Sequence, residues 1–228
     1  MSGIDRARVE AAVTELLAAI GEDTARPGLS ETPARVADAY AEFFAGLGAD
    51  PLEPLRETIP VGDVEPELVI VRDLEFRSVC EHHLLPFLGR AHLAYLPAQK
   101  VVGLGRLPQL VNVLAARPQL QERLTEQIAD SLVEGLDPRG VVVVLDAQHQ
   151  CVTTRGARQV HSSTVTVASR GELDDPVRRA EVITLIGGLH SASPSRPADV
   201  LPSGPADVLP SRPADVLPSG PAASGAGE

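Results

Sequence analysis

LVIVRDLEFRSVCEHHLLPFLGRAHLAYL, residues 68–96, is the stretch on which the fold turns. It reads as two strands, near Leu68 to Val79 and Gly89 to Leu96. Between them lie the polar cluster Cys80-Glu81-His82-His83 and the apolar run Leu84 to Leu88. Downstream, Leu107, Leu110, Val111 and Leu114 recur at helical spacing. Pro118 is expected to end that helix and open a second, in which Leu120, Leu124, Ile128 and Leu132 lie one turn apart. Gly140 to Leu145 has the composition of a buried strand, and Val160 to Ala168 alternates as a fourth. The order ββααββ predicts an α+β fold with an antiparallel sheet.

Working outward, the N-terminal part carries two helices. Val9, Ala12, Val13, Leu16, Leu17 and Ile20 place one over about Asp5 to Ile20. Thr32 followed by Pro33 opens the other, with Val36, Tyr40, Phe43, Phe44 and Leu47 as its apolar stripe. Pro51 to Pro66 reads as a proline-punctuated connection, and Pro176 to Ile186 as a last helix. From about Ser191 the chain is Pro, Ser, Ala, Gly and Asp, with an octad marked by Pro197, Pro205, Pro213 and Pro221. Such a repeat sustains neither helix nor ladder, so a disordered tail is expected. A docking peptide built on its Val-Leu pair is the functional alternative to a repeat expansion without a role. The expected organisation is a helical region over 1–60, a catalytic domain over 61–188 and the tail over 189–228.

The 228 residues hold 31 acidic against 20 basic side chains, a net charge of −11. That balance argues against a general nucleic-acid binder, which needs a basic face for phosphate. No apolar run is long enough to span a membrane, and the first ten residues lack a secretory segment. A cytosolic chain is the expectation. Lys100 is the single lysine, so an arginine in place of a lysine carries little information here, whereas a lost cation carries more.

Cys80 and Cys151 are the two cysteines. In a reducing compartment they read as thiols or metal ligands rather than a bridge. Cys80 and His83 are three apart, which lets one turn aim both at a single ion. His149-Gln150-Cys151 follows the buried strand, and strand ends of an antiparallel sheet can sit together. Cys80, His83 and Cys151 would then form a Cys₂His set, the pattern of a catalytic zinc with one open position. His82 and His149 remain beside it for acid–base work near neutral pH. Spacing alone leaves a Cys80–Cys151 disulfide as the rival.

The stretch Val79 to Phe87 resembles the signature of GTP cyclohydrolase I. So do Val102-Gly103-Leu104, the run Arg117 to Thr125, His149-Gln150-Cys151 with Arg155-Gly156, and the segment Glu31 to Ala37. The resemblance is collinear over about residues 5 to 187. It implies a tunnelling fold whose ββααββ units assemble into rings, usually a decamer of two stacked pentamers with active sites between subunits. It implies conversion of GTP and water to 7,8-dihydroneopterin triphosphate and formate. Cys80, His83 and Cys151 match the family's ligands for Zn2+, an ion that would supply hydroxide for C8 of the guanine. His149 matches the histidine that protonates N7, and His82 a second acid–base histidine. Glu122 matches the carboxylate that holds the guanine edge, although in isolation it reads as a solvated helix charge. Gln121 stands beside it in the substrate-binding motif.

The phosphate pocket departs from the family pattern. Arg35, Arg106 and Arg155 keep the charge at three positions, with Arg158 nearby. Asp38 stands where the family usually has a lysine, Gly105 where it has a serine, and Gln109 where it commonly has an arginine. Asp38, three residues after Arg35, is placed to pair with it and compete with phosphate. Two other readings follow: a paralogue with the same chemistry on a guanine compound with a different phosphate tail, and a non-catalytic zinc-containing assembly protein.

Overall fold

The computed structural model describes residues 3–62 and 66–188; the octad repeat lies outside them. The elements in order are α1 (Arg6–Ala19), α2 (Thr32–Phe43), β1 (Thr58–Pro60), β2 (Val69–Cys80), β3 (Pro86–Leu96), β4 (Lys100–Val102), α3 (Arg106–Ala115), β5 (Pro118–Gln119), α4 (Gln121–Leu136), β6 (Gly140–His149), α5 (Gln150–Thr153), β7 (Thr164–Gly171) and α6 (Pro176–Gly188). The order β2-β3-α3-α4-β6-β7 is the ββααββ order implied for a tunnelling-fold subunit. The main sheet runs β5-β2-β3-β6-β7, antiparallel throughout except for the two-residue parallel pairing of β5 on β2.

Apolar residues of α3 and α4 cover one face of that sheet. Leu107, Leu110, Leu114, Leu124, Ile128 and Leu132 pack on Phe76, Phe87, Leu93, Tyr95, Val141, Val143 and Leu145. On the other face Val142 and Val144 meet Val182 and Ile186 of α6. β6 is thus buried on both sides, which explains why its sequence is a continuous apolar run rather than an alternation. Ile128 is fully buried at the centre of α4. Ile128→Ala is expected to cost about 2–5 kcal/mol, read as a lowered urea midpoint with the metal site unchanged.

Three expectations need correction. Pro118 does not open the second helix. Pro118 and Gln119 are extended and pair with Val79 and Cys80, Leu120 is also extended at φ −103° and ψ 140°, and the helix begins at Gln121. The Glu81 N–H donates to the Gln119 carbonyl at 3.1 Å, so the segment between the helices serves as an edge for the metal-side turn. The fourth strand starts at Thr164, not Val160, because 158–163 is occupied by turns: Arg158 has φ 51°, and the Gln159 N–H reaches back to the Val152 carbonyl at 3.1 Å. The Pro51 to Pro66 connection contains β1, which pairs antiparallel with β4. Neither strand carries a pattern long enough to be read locally.

Helix α1 is capped by Asp5, whose carboxylate accepts from the Arg8 N–H at 3.1 Å. Its apolar stripe is only partly covered: Val9, Val13 and Leu17 are half-buried, no residue of α1 is fully buried, and Leu16 and Ile20 are 59% and 66% exposed.

Candidate metal centre

Cys80 ends β2, where the chain reverses in a tight turn. The Cys80 N–H donates to the Leu85 carbonyl at 2.8 Å, and the Leu84 N–H to the Cys80 carbonyl at 2.9 Å. Leu84 takes φ 51° to close the loop, a conformation most side chains avoid. The turn projects His82 and His83 and leads into β3 at Pro86. Phe87 of β3 stands opposite His149 in the register, so the end of β6 and the start of α5 arrive at the same end of the sheet. Cys151 on α5 thereby meets Cys80 and His83.

The ligand atoms of Cys80, His83 and Cys151 all lie within 4.8 Å of one another. Cys80 is buried, Cys151 half-buried and His83 exposed. Both cysteines are free thiols. Burial, followed by the neighbouring Cys80 thiol, pushes the Cys151 thiol up, while the Arg155 cation acts the other way. Two adjacent sulfurs of this kind ionise together only beside a cation. Two thiolates and an imidazole on one point, with one side open to solvent, suit a tetrahedral metal that keeps a fourth position for water. The donor set fits zinc.

A cation already touches this group. Arg155 Nη1 lies 3.1 Å from His83 Nε2. His82 is exposed, its ring 6.3 Å from that of His83 and nearly perpendicular to it. The His149 ring is stacked on Phe87, centroids 4.6 Å apart and 7° from parallel. Its Nε2 is 2.7 Å from Gln121 Oε1. Burial pushes the His149 imidazolium to lower pKa, and the Glu122 carboxylate opposes that shift.

Gln121 and Glu122 open α4 and part company there. Glu122 is exposed, and among the described residues it makes no ion pair or side-chain hydrogen bond. Gln121, expected among the substrate-binding residues, is 1% exposed. Its carboxamide is committed to His149, Leu145, Thr164 and Thr166.

The phosphate-pocket candidates are more scattered. Asp38 does not pair with Arg35; its ion pair is with Arg6 of α1. The reason is tertiary: α1 lies along α2 and brings a cation to the same face. Arg106 donates to Glu57 at 2.5 Å and to Gln109 at 3.3 Å. Gly105 is the residue just before α3 and offers no side-chain cap. Among the described residues, neither Arg35 nor Arg106 hydrogen-bonds to the cysteines, to His83 or to His149.

One contact lies outside the sequence reading. Arg123 of α4 binds both oxygens of Glu81, at 2.7 and 3.2 Å, and that bond holds the Glu81 carboxyl below the ordinary range. It ties the histidine-bearing turn to the helix that carries Gln121 and Glu122. The only local signal is that both residues sit inside the quoted motifs.

The family model described as GTP cyclohydrolase I matches residues 9–187. The chain belongs to the GTP cyclohydrolase I family. Curated relatives agree over the same span. A GTP cyclohydrolase 1 of Leifsonia xyli is 64% identical over 187 residues, covering 82% of this chain and 98% of its own. One from Streptomyces griseus is 52% identical over 188 residues, covering 82% and 92%. One from Bacillus subtilis is 51% identical over 185 residues, covering 80% and 96%. The family match contains every candidate ligand and site residue named above and leaves the octad repeat outside.

Proposed function

We propose that this chain is a zinc-dependent GTP cyclohydrolase I, opening the guanine imidazole ring of GTP to give 7,8-dihydroneopterin triphosphate and formate. The observation that carries the reading is the convergence of Cys80, His83 and Cys151 within 4.8 Å in a chain that matches this family over residues 9–187. Those three side chains would hold zinc, which when bound would make a water acidic enough to act as hydroxide at neutral pH. His149 donates a proton at N7 of the purine, which makes C8 electrophilic. His82, exposed on the adjacent turn, handles protons in ring opening and the later rearrangement. The Glu122 carboxylate accepts from N1–H and from the 2-amino group, an edge that adenine does not offer. Arg155 stands at the junction of the metal group and the phosphate pocket, with Arg35 and Arg106 as the other cations and Gly105 as a backbone contact.

Within one chain neither Arg35 nor Arg106 hydrogen-bonds to the metal group among the described residues, which accords with a site completed by neighbouring subunits. Exposed Leu16 and Ile20 at the end of α1 and the outer edge of β7, where Val165 and Val167 are 58% and 42% exposed, are surfaces that association would cover. A decamer of two pentamers is the proposed assembly. Among the described residues no helix is long and apolar enough to cross a membrane, and the proposed location is the cytoplasm, with neither nucleic acid nor membrane as partner.

The test is turnover by the zinc-loaded chain on GTP, GDP, GMP and guanosine, following formate release and the fluorescence of the oxidised pterin. Preference for GTP is expected; preference for a shorter phosphate chain would overturn the substrate assignment. The Michaelis constant for GTP is expected to exceed that of family members with lysine at position 38. Asp38→Lys should lower it by roughly two- to fivefold, the scale of an exposed charge interaction, without changing kcat. An unchanged constant would remove Asp38 from the phosphate pocket.

A further inference from the structure

We infer that Gln121 is a positioning residue that holds His149 through an Nε2–H hydrogen bond and so fixes the tautomer and orientation of its neutral ring. The inference rests on the role proposed above for His149, but its argument is a matter of hydrogen-bond direction.

The Gln121 amide nitrogen lies 2.8 Å from the Thr164 carbonyl oxygen, 3.2 Å from that of Leu145 and 3.1 Å from the Thr166 hydroxyl. Carbonyl oxygens only accept, so a donor must face them. The nitrogen end of the carboxamide is therefore locked toward β6 and β7, and the oxygen end toward His149. That oxygen only accepts, so at 2.7 Å the His149 Nε2 must carry a hydrogen.

The hydroxyls reinforce the same direction. Thr125 donates to the Gln121 carbonyl at 2.7 Å, which uses its one hydrogen. In the Thr125–Thr166 contact, also 2.7 Å, Thr166 must then be the donor. Its oxygen is left to accept from the Gln121 amide. The path runs from the Gln121 side-chain amide to Thr166, to Thr125 and ends on the main-chain carbonyl of Gln121 itself. Both Gln121 and Thr125 are 1% exposed, so water does not readily exchange into it. The two amide hydrogens are shared among three acceptors, all on the same side, and a largely buried chain of this kind favours one arrangement over its reverse.

The consequence for His149 is specific. Neutral or protonated, the ring keeps Nε2–H on Gln121, and the stacked Phe87 holds its plane. A reversed carboxamide would demand a lone pair at Nε2 and would move the proton of the neutral ring to Nδ1. The role is thus distinct from contact with substrate, which a fully committed, buried carboxamide does not make.

The test uses the full-length, zinc-loaded assembly with ¹⁵N-labelled histidine. Magic-angle-spinning NMR is recorded at a pH where the imidazoles are neutral, with His149 assigned by difference against His149→Gln. Wild type should show the Nε2–H form alone at His149. Gln121→Met should show both forms, and kcat for formate release from GTP should fall about ten- to hundredfold, the range for losing an outer orienting partner, with KM within twofold. Gln121→Glu keeps an oxygen for His149 and should retain the Nε2–H form only with its other oxygen protonated, to face the Leu145 and Thr164 carbonyls; the wild-type spectrum alone decides the inference if neither variant folds. A wild-type Nδ1–H signal, an unchanged Gln121→Met spectrum, or a loss confined to KM would each overturn the inference. The expected spectra in a chain that does not turn over GTP would uphold the positioning and refute the proposed function instead.

Discussion

Cys151→Ser is expected to retain the fold, to lose stoichiometric zinc on dialysis, and to release formate from GTP more than about 100-fold more slowly than wild type. The bound is set by outer-shell partners of metal ligands, whose removal typically costs about 10–100-fold; a first ligand should cost more. A serine hydroxyl does not ionise near neutral pH and offers a hard oxygen in place of a soft sulfur. The group within 4.8 Å would fall from three donors to two, fewer than catalytic zinc sites use. The fold has little reason to fail, because Cys151 is half-buried on a four-residue helix at the edge of the core. Metal content by atomic emission, circular dichroism and formate release separate the outcomes. Full zinc and full turnover in the variant would remove Cys151 from the ligand set. Lost zinc with undiminished turnover would remove zinc from the reaction.

The residues differ in how far the sequence revealed them, and the differences have physical causes. Cys80 and His83 were legible as a pair because a turn after a strand is a local object, and the ββααββ order was legible because strand and helix periods are local too. That Cys151 meets them depends on β3 lying beside β6 in the register Phe87↔His149, which no local pattern encodes; strand-end reasoning reached it only as a possibility. Pro118 was misread because a proline at the first turn of a helix and a proline at a strand edge look alike in sequence. The choice was made by Val79 and Cys80, some forty residues upstream. The partner of Asp38 was misplaced for a similar reason: spacing on one helix offered Arg35, while packing of α1 supplied Arg6. The buried commitment of Gln121 was hidden altogether, since a glutamine at a helix start is ordinarily a surface residue.

Glu122→Gln is expected to lower kcat/KM for GTP by roughly 10- to 10³-fold while moving the melting temperature little. Glu122 sits in the first turn of α4, where a carboxylate gains about 0.3–1 kcal/mol from the helix terminus, so the stability change is small. Its proposed task is larger. A carboxylate accepts from N1–H and from the 2-amino group at once, and hydrogen bonds to a charged partner are worth about 1.5–3 kcal/mol each. A glutamine keeps one acceptor and turns an NH₂ donor toward the second guanine donor. That mismatch gives a sharper readout than the rate alone. Inosine triphosphate has N1–H but no 2-amino group, so it loses one of the two bonds in wild type and meets no opposing donor in the variant. Wild type should prefer GTP over inosine triphosphate clearly, and Glu122→Gln should compress or reverse that preference. This is a coupling between one side chain and one substrate group, measured as in a double-mutant cycle. If the variant instead slows both nucleotides equally, Glu122 acts on His149 or on the helix start, and guanine is held by something else.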